Sequence, residues 1–109
     1  MFAALRYSLQ GLCAAFRHES AFRQELLLAA ILTPVAVWLG RNPLEVILLM
    51  GSLLFVLVVE LLNSALETVA DAVTIENHPL IGRAKDLGSA AVLLALCLAL
   101  LVWVGVIWR

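Results

Sequence analysis

Four polar residues, Glu60, Asn63, Glu67 and Asp71, recur at i, i+3, i+7 and i+11 in a segment otherwise dominated by Leu, Val and Ala. At helical periodicity they fall at about 0°, 300°, 340° and 20° around the axis, so they share one narrow face. Carboxylates in such a stripe suit two kinds of chemistry. One held away from water can act as a general base near neutral pH, and one nearer to water can ligate a hard cation through oxygen. Asn63 lies between them. Glu19, upstream of the apolar run that begins at Leu26, could supply a second oxygen ligand beside Glu67 if their helices approach. Such a pair would suit Mg²⁺. Further along, Arg83 and Lys85 stand where a helix is expected to begin, at the end whose dipole disfavours cations. Helix stability therefore does not explain Lys85, and an anionic partner such as a phosphate would. The plain alternative is that Glu67 and Asp71 are headgroup-level charges, that Glu60 and Asn63 hydrogen-bond between helices, and that the two basic residues bind lipid headgroups.

The elements that must position these residues are set by composition. Of 109 residues, 64% are hydrophobic and 14% charged, and the net charge is −1. A soluble core of this size could not bury so much apolar surface, and no basic tract points to nucleic acid. A membrane protein is expected. Leu87 to Trp108 is uncharged and long enough to cross a bilayer as a helix. A second span is expected over residues 21–40, with Arg23 and Glu25 at headgroup level and Pro34 as a site for a kink. Gly40, Arg41, Asn42 and Pro43 form a turn signal, and Pro43 is placed to open the next helix, expected over residues 43–72. That helix would be roughly 43 Å long or more, so it must tilt or protrude from a hydrocarbon core of about 30 Å. A charge at the bilayer centre costs about 2.5 to 3.5 kcal/mol on insertion scales and less near the interface, so Glu60, near the cytoplasmic edge of the hydrocarbon, is expected to have a task or a partner.

Residues 73–85 read as a polar loop containing Glu76, Asn77, His78, Pro79, Gly82, Arg83 and Lys85, with the third span over 86–108. In residues 1–20, Phe2, Leu5, Leu9, Leu12 and Phe16 share a face beside Arg6, Gln10 and Arg17, the pattern of an amphipathic interfacial helix rather than a cleaved signal or a fourth span. The fold class is therefore all-α membrane protein, a single domain with one interfacial helix and three spans. Arg6, Arg17 and Arg23 precede the first span and Arg83 and Lys85 follow the second, whereas Arg41 and Arg109 stand alone at the opposite ends. The positive-inside rule puts the N-terminus and the 73–85 loop in the cytoplasm. Cys13 and Cys97 are far apart and suggest neither a disulfide nor a zinc site, and His18 and His78 suggest no histidine metal site. There is no P-loop, protein-kinase motif set or nucleophile elbow.

The run from Glu60 through Asn63 and Glu67 to Asp71, followed by Gly82-Arg83-Ala84-Lys85-Asp86-Leu87-Gly88-Ser89-Ala90-Ala91-Val92, resembles the bacterial integral-membrane diacylglycerol kinase family. Similarity extends into Glu19-Ser20-Ala21-Phe22-Arg23-Gln24-Glu25 and into the amphipathic start, covering essentially the whole chain. The resemblance implies a homotrimer in the bacterial cytoplasmic (inner) membrane, with active sites shared between subunits and Mg²⁺-ATP as phosphoryl donor. It implies that Glu60 is the general base, supported by Asn63, that Glu19 and Glu67 hold the metal, and that Lys85 and Asp86 meet nucleotide phosphates. Tyr7, Glu76, Asn77 and His78 match further nucleotide positions. Ser89 and the stretch Ala21, Phe22, Arg23, Gln24 and Glu25 match lipid-substrate positions. Family members often carry a basic residue just ahead of the point where this sequence starts, and Arg6 is the candidate to stand in for it.

Related enzymes phosphorylate diacylglycerol or undecaprenol, and Gly88-Ser89-Ala90-Ala91 resembles the diacylglycerol branch more. A small proton-coupled multidrug transporter would share the length and a membrane carboxylate but needs four spans. A non-catalytic assembly subunit would leave Lys85 without an anionic partner.

Overall fold

The computed structural model describes residues 2–73 and 78–109. Its regular structure is helical throughout, in the order α1 (Phe2–His18), α2 (Ser20–Leu39), α3 (Pro43–Val73) and α4 (Pro79–Trp108). The three helices α2, α3 and α4 are each long and apolar enough to cross a membrane.

A single residue separates α1 from α2. Glu19 is extended at φ −114° and ψ 105°, while its N–H still donates to the Ala15 carbonyl at 2.9 Å and its carbonyl accepts from the Arg23 N–H at 3.2 Å. The result is an elbow rather than a loop. The last carbonyls of a helix lack intrahelical donors and carry partial negative charge. Arg23 answers both needs: its Nη1 donates to the carbonyls of Phe16 at 2.9 Å and Arg17 at 3.1 Å.

The α2–α3 turn is tight. The Gly40 N–H donates to the Ala36 carbonyl at 3.0 Å, and a Cβ on Gly40 would run into the Val46 side chain and stand 3.0 Å from the Val46 nitrogen. Asn42 Oδ1 accepts from the Glu45 N–H at 2.9 Å, and Glu45 Oε1 accepts from the Arg41 N–H at 2.8 Å. With Pro43 at the first helical position, where no N–H is needed, these bonds start α3 in the manner of a capping box.

At the other end of α3 the structure departs from the expected loop. The fourth helix opens at Pro79 rather than at residue 86, so residues 79–85 are helical. His78 caps the helix, its Nδ1 accepting from the Leu80 N–H at 3.1 Å, and Pro79 takes the first helical position. Gly82, Arg83 and Lys85 read as loop by polarity, but a cap followed by proline outweighs a polar first turn or two. Helices of 31 and 30 residues are roughly 45 Å long, longer than a hydrocarbon core of about 30 Å is thick.

α4 packs along α3, and α2 packs on α3 from another side. Near the Gly40 turn, buried Ala36, Leu49 and Val106 meet, with Leu39, Val102 and Trp103 against them. Buried Ser52 links α3 to α4: the Trp103 Nε1–H donates to Ser52 Oγ at 3.1 Å, and that hydroxyl donates to the Leu49 carbonyl at 2.7 Å. Arg109 closes the same end. Its Nε pairs with Glu45 Oε2 at 2.7 Å, its Nη2 donates to the Leu39 carbonyl at 3.1 Å, and its Nη1 donates to the Val106 carbonyl. The ends of α2 and α4 and the start of α3 are thereby tied through one guanidinium. Large apolar side chains such as Leu93, Leu94, Leu100 and Leu101 point away from the bundle, as lipid-facing positions do.

Candidate active site

The stripe on α3 keeps its expected face and meets a different element on each flank. Glu60 is buried, 6% exposed, and the charges of Glu67 and Glu19 act on it, as Glu60 itself acts on Glu25. Three carboxylates, Glu19 at the α1–α2 elbow, Glu25 on α2 and Glu67 on α3, therefore lie within electrostatic reach of Glu60, a concentration of like charge that helix packing alone does not reward. Glu19 sits at the N-cap position of α2, where a carboxylate normally caps the first turn, yet its side chain makes no capping hydrogen bond. Its oxygens are left for another partner.

On the first flank, α1 and α3 border an open groove of ≈ 740 Å³ lined by Ser8, Leu12, Ala15, Glu19, Ser64 and Thr68 among others. Its walls are mostly apolar, with Glu19 the acidic group among them. Ser64 and Thr68 stand beside the stripe, at about 40° and 80° from Glu60 around α3.

On the other flank, α4 comes close at Gly88. A Cβ there would collide with Asn63 Oδ1 and stand 3.0 Å from Leu66 Cδ2. Asn63 Oδ1 is buried and has no hydrogen-bond partner, so glycine at this position makes room for an amide whose acceptor is unspent. Lys85, three residues earlier and on the same face of α4, reaches back to α3, its Nζ donating to Asp71 Oδ1 at 2.7 Å. Lys85 thus lies in the second turn of α4 rather than at its start. The dipole effect has faded there, and the anion beside the amine is Asp71.

Glu25 faces the inside of the helix bundle rather than open surroundings. It lines a groove of ≈ 310 Å³ between α2, α3 and α4 with Leu28, Leu53, Val56, Leu96 and Trp103, and its Oε2 is buried without a partner. A buried carboxylate oxygen lacking a donor is costly and invites a ligand hydroxyl or cation. Among the other expected positions, Phe22 is buried and packs, Ala21, Gln24, Asp86 and Ser89 are exposed, and Tyr7 is exposed with the Arg6 guanidinium 5.5 Å above its ring. Arg23 spends one guanidinium nitrogen on the α1 carbonyls. His78 serves as a helix cap through Nδ1, and Glu76 and Asn77 lie outside the described residues.

Among the described residues no group of three or more His, Cys, Asp or Glu side chains could hold a metal ion by itself. Mg²⁺ keeps several waters and is held through one or two protein carboxylates when phosphates complete its shell, so a site of that kind needs no cluster of three. What sequence reasoning missed is the part made by packing. Gly88 was one residue of a motif with no stated task, and Asp71 had no role. The small residue facing a polar one across a helix pair was the available signal for Gly88.

A family model described as prokaryotic diacylglycerol kinase matches residues 6–107. The diacylglycerol kinase of Haemophilus influenzae is 52% identical over 103 residues, 94% of this chain and 87% of that protein. The diacylglycerol kinase of Pseudomonas aeruginosa is 47% identical, covering 95% and 85% of the two chains, and that of Escherichia coli K12 is 45% identical, covering 96% and 86%. The chain belongs to the prokaryotic diacylglycerol kinase family. It is accordingly an enzyme, a lipid kinase, and its reaction requires a nucleotide co-substrate.

Proposed function

We propose that this chain transfers the γ-phosphate of Mg²⁺-ATP to the primary hydroxyl of diacylglycerol, releasing ADP and phosphatidic acid. The observation that carries the reading is the burial of Glu60 on a membrane helix beside Glu19 and Glu67. In this scheme Glu60 takes the proton of the lipid hydroxyl, whose oxygen attacks the γ-phosphorus in line as the bond to the β-phosphate oxygen breaks. Asn63, its Oδ1 unspent, orients the hydroxyl or Glu60. Glu25 Oε2, also unpartnered, accepts a further hydrogen bond from the lipid backbone, with Ala21, Phe22, Arg23, Gln24 and Ser89 framing the approach. An acyl chain in the apolar groove between α1 and α3 would bring a headgroup to Glu19.

Glu19 and Glu67 would hold Mg²⁺, which when bound offsets phosphate charge. Lys85 and Asp86 meet the nucleotide phosphates, and Tyr7, Glu76, Asn77 and His78 supply further nucleotide contacts. The assembly is a homotrimer with shared sites in the bacterial inner membrane, its N-terminus and the α3–α4 connection cytoplasmic and α1 amphipathic at the interface. The apolar surface left uncovered on α4 supports association with lipid and other copies.

Purified protein in detergent, given Mg²⁺-ATP and either diacylglycerol or undecaprenol, tests the reading. Phosphate is expected on diacylglycerol, and its appearance on undecaprenol alone would reassign the substrate. Glu60→Gln in a folded protein should lose about 10²- to 10⁴-fold in turnover, the usual contribution of a general base. Near-normal turnover would remove Glu60 from that role.

A further inference from the structure

Asp71 is the one member of the α3 stripe that the proposed reaction does not use. It stands in the last turn of α3, which ends at Val73, where the negative end of the helix dipole makes a carboxylate unfavourable. Its partner across the helix pair is Lys85, at 2.7 Å. The side chains are 69% and 41% exposed, respectively, and an ion pair open to water contributes little to stability. Neither helix formation nor folding energy accounts for an aspartate here.

The amine it holds is well placed for a different purpose. An ammonium group has three donors, and Asp71 Oδ1 takes one of them, leaving two for another anion. The charge of Glu67 also acts on Lys85, so the amine is in contact with one carboxylate of the stripe and feels a second, the latter a proposed metal ligand. A lysine on its four-carbon stem is free to swing, and without Asp71 the remaining nearby anion on α3 is Glu67. An ammonium ion drawn onto Glu67 would leave the phosphates and occupy the carboxylate that a divalent cation needs.

We infer that Asp71 is a positioning residue, holding the Lys85 ammonium group towards the nucleotide phosphates and off Glu67. The inference rests on the assignment of Lys85 to the nucleotide and of Glu67 to the metal, and it adds a role for the fourth residue of the stripe. Asp71 touches neither substrate in this account. It acts through Lys85.

Because the pair is exposed, substitution should leave the fold intact, which far-UV circular dichroism and thermal unfolding in detergent will verify. For Asp71→Asn the nucleotide KM and the Mg²⁺ concentration for half-maximal activity should both rise about tenfold while kcat changes by less than about threefold, since a positioning contact rather than a reacting group is lost. Asp71→Glu should restore most of both values. Equilibrium binding of a non-hydrolysable ATP analogue should weaken by a similar factor in Asp71→Asn, independently of turnover. Lys85→Met separates the layers. If it weakens analogue binding and Asp71→Asn does not, the positioning role is refuted and the nucleotide assignment stands. If Lys85→Met leaves analogue binding unchanged, the assignment beneath the inference fails and the inference fails with it. An unchanged Mg²⁺ requirement in Asp71→Asn would overturn the shielding of Glu67.

Discussion

Replacing Gly88 by alanine tests the closest approach of α3 and α4 at the site. The added Cβ would collide with Asn63 Oδ1 and lie 3.0 Å from Leu66 Cδ2. Both obstacles are side-chain ends, so the strain is relieved by turning the Asn63 amide and the Leu66 branch or by parting the helices. Overpacking of this kind costs about 1 to 3 kcal/mol. Against it, alanine is favoured over glycine inside a helix by about 0.8 to 1.0 kcal/mol. The net loss should lie between roughly zero and 2 kcal/mol, small enough for the variant to fold. Gly82, also in α4, has nothing within 4 Å of its would-be Cβ, so Gly82→Ala carries the propensity gain alone. The difference between the two variants isolates overpacking, about 1 to 3 kcal/mol. Reversible unfolding in mixed micelles titrated with a denaturing detergent measures it. Turnover reports the second consequence, since displacing the Asn63 amide should lower kcat by about tenfold or more, equivalent to about 1.4 kcal/mol of barrier. If Gly88→Ala gained as much stability as Gly82→Ala and kept full turnover, neither the close packing nor the role of Asn63 would survive.

At the opposite end of the bundle, Arg109→Ala removes the pairing with Glu45 and a donor to the Leu39 carbonyl. It should cost about 1.5 to 3 kcal/mol of unfolding free energy in detergent, the range for hydrogen bonds to charged groups, with nucleotide KM unchanged. Ser52→Ala leaves the Trp103 indole N–H without its acceptor and should cost about 0.6 to 2 kcal/mol, seen as a shift in tryptophan emission and in the unfolding midpoint. Glu67→Ala should raise the Mg²⁺ concentration needed for half-maximal turnover, and an unchanged Mg²⁺ titration would remove it from the metal site. Arg23→Ala frees the last carbonyls of α1. Faster amide hydrogen exchange is expected at the elbow around Glu19, with α3 unaffected.

Much of the architecture was legible in the residues because a bilayer imposes it. Backbone groups in hydrocarbon must be satisfied within helices, so apolar run lengths and the Gly40 to Pro43 turn signal sufficed to place α2 and the start of α3 within a residue. The narrow face shared by Glu60, Asn63, Glu67 and Asp71 follows from periodicity alone. The start of α4 was misread because Gly82, Arg83 and Lys85 look like a loop. The capping bond from the Leu80 N–H to His78 Nδ1 is a three-dimensional fact, although His-Pro ahead of a helix was there to be weighed.

The stripe marks the boundary between what the sequence by itself determined and what tertiary structure decided. Spacing along one helix is a local property, so the sequence determined that four polar groups share a face and that Glu60 must have a reason to be in a membrane. Which element answers each group depends on how helices pack, which no single segment encodes. Only the fold brings Glu19 from the elbow and Glu25 from α2 to the surroundings of Glu60. Only the close contact at Gly88 leaves the Asn63 amide facing α4. The pairing of Lys85 with Asp71 joins residues 14 apart through the packing of α4 along α3, which turns two charges without evident purpose into one arrangement.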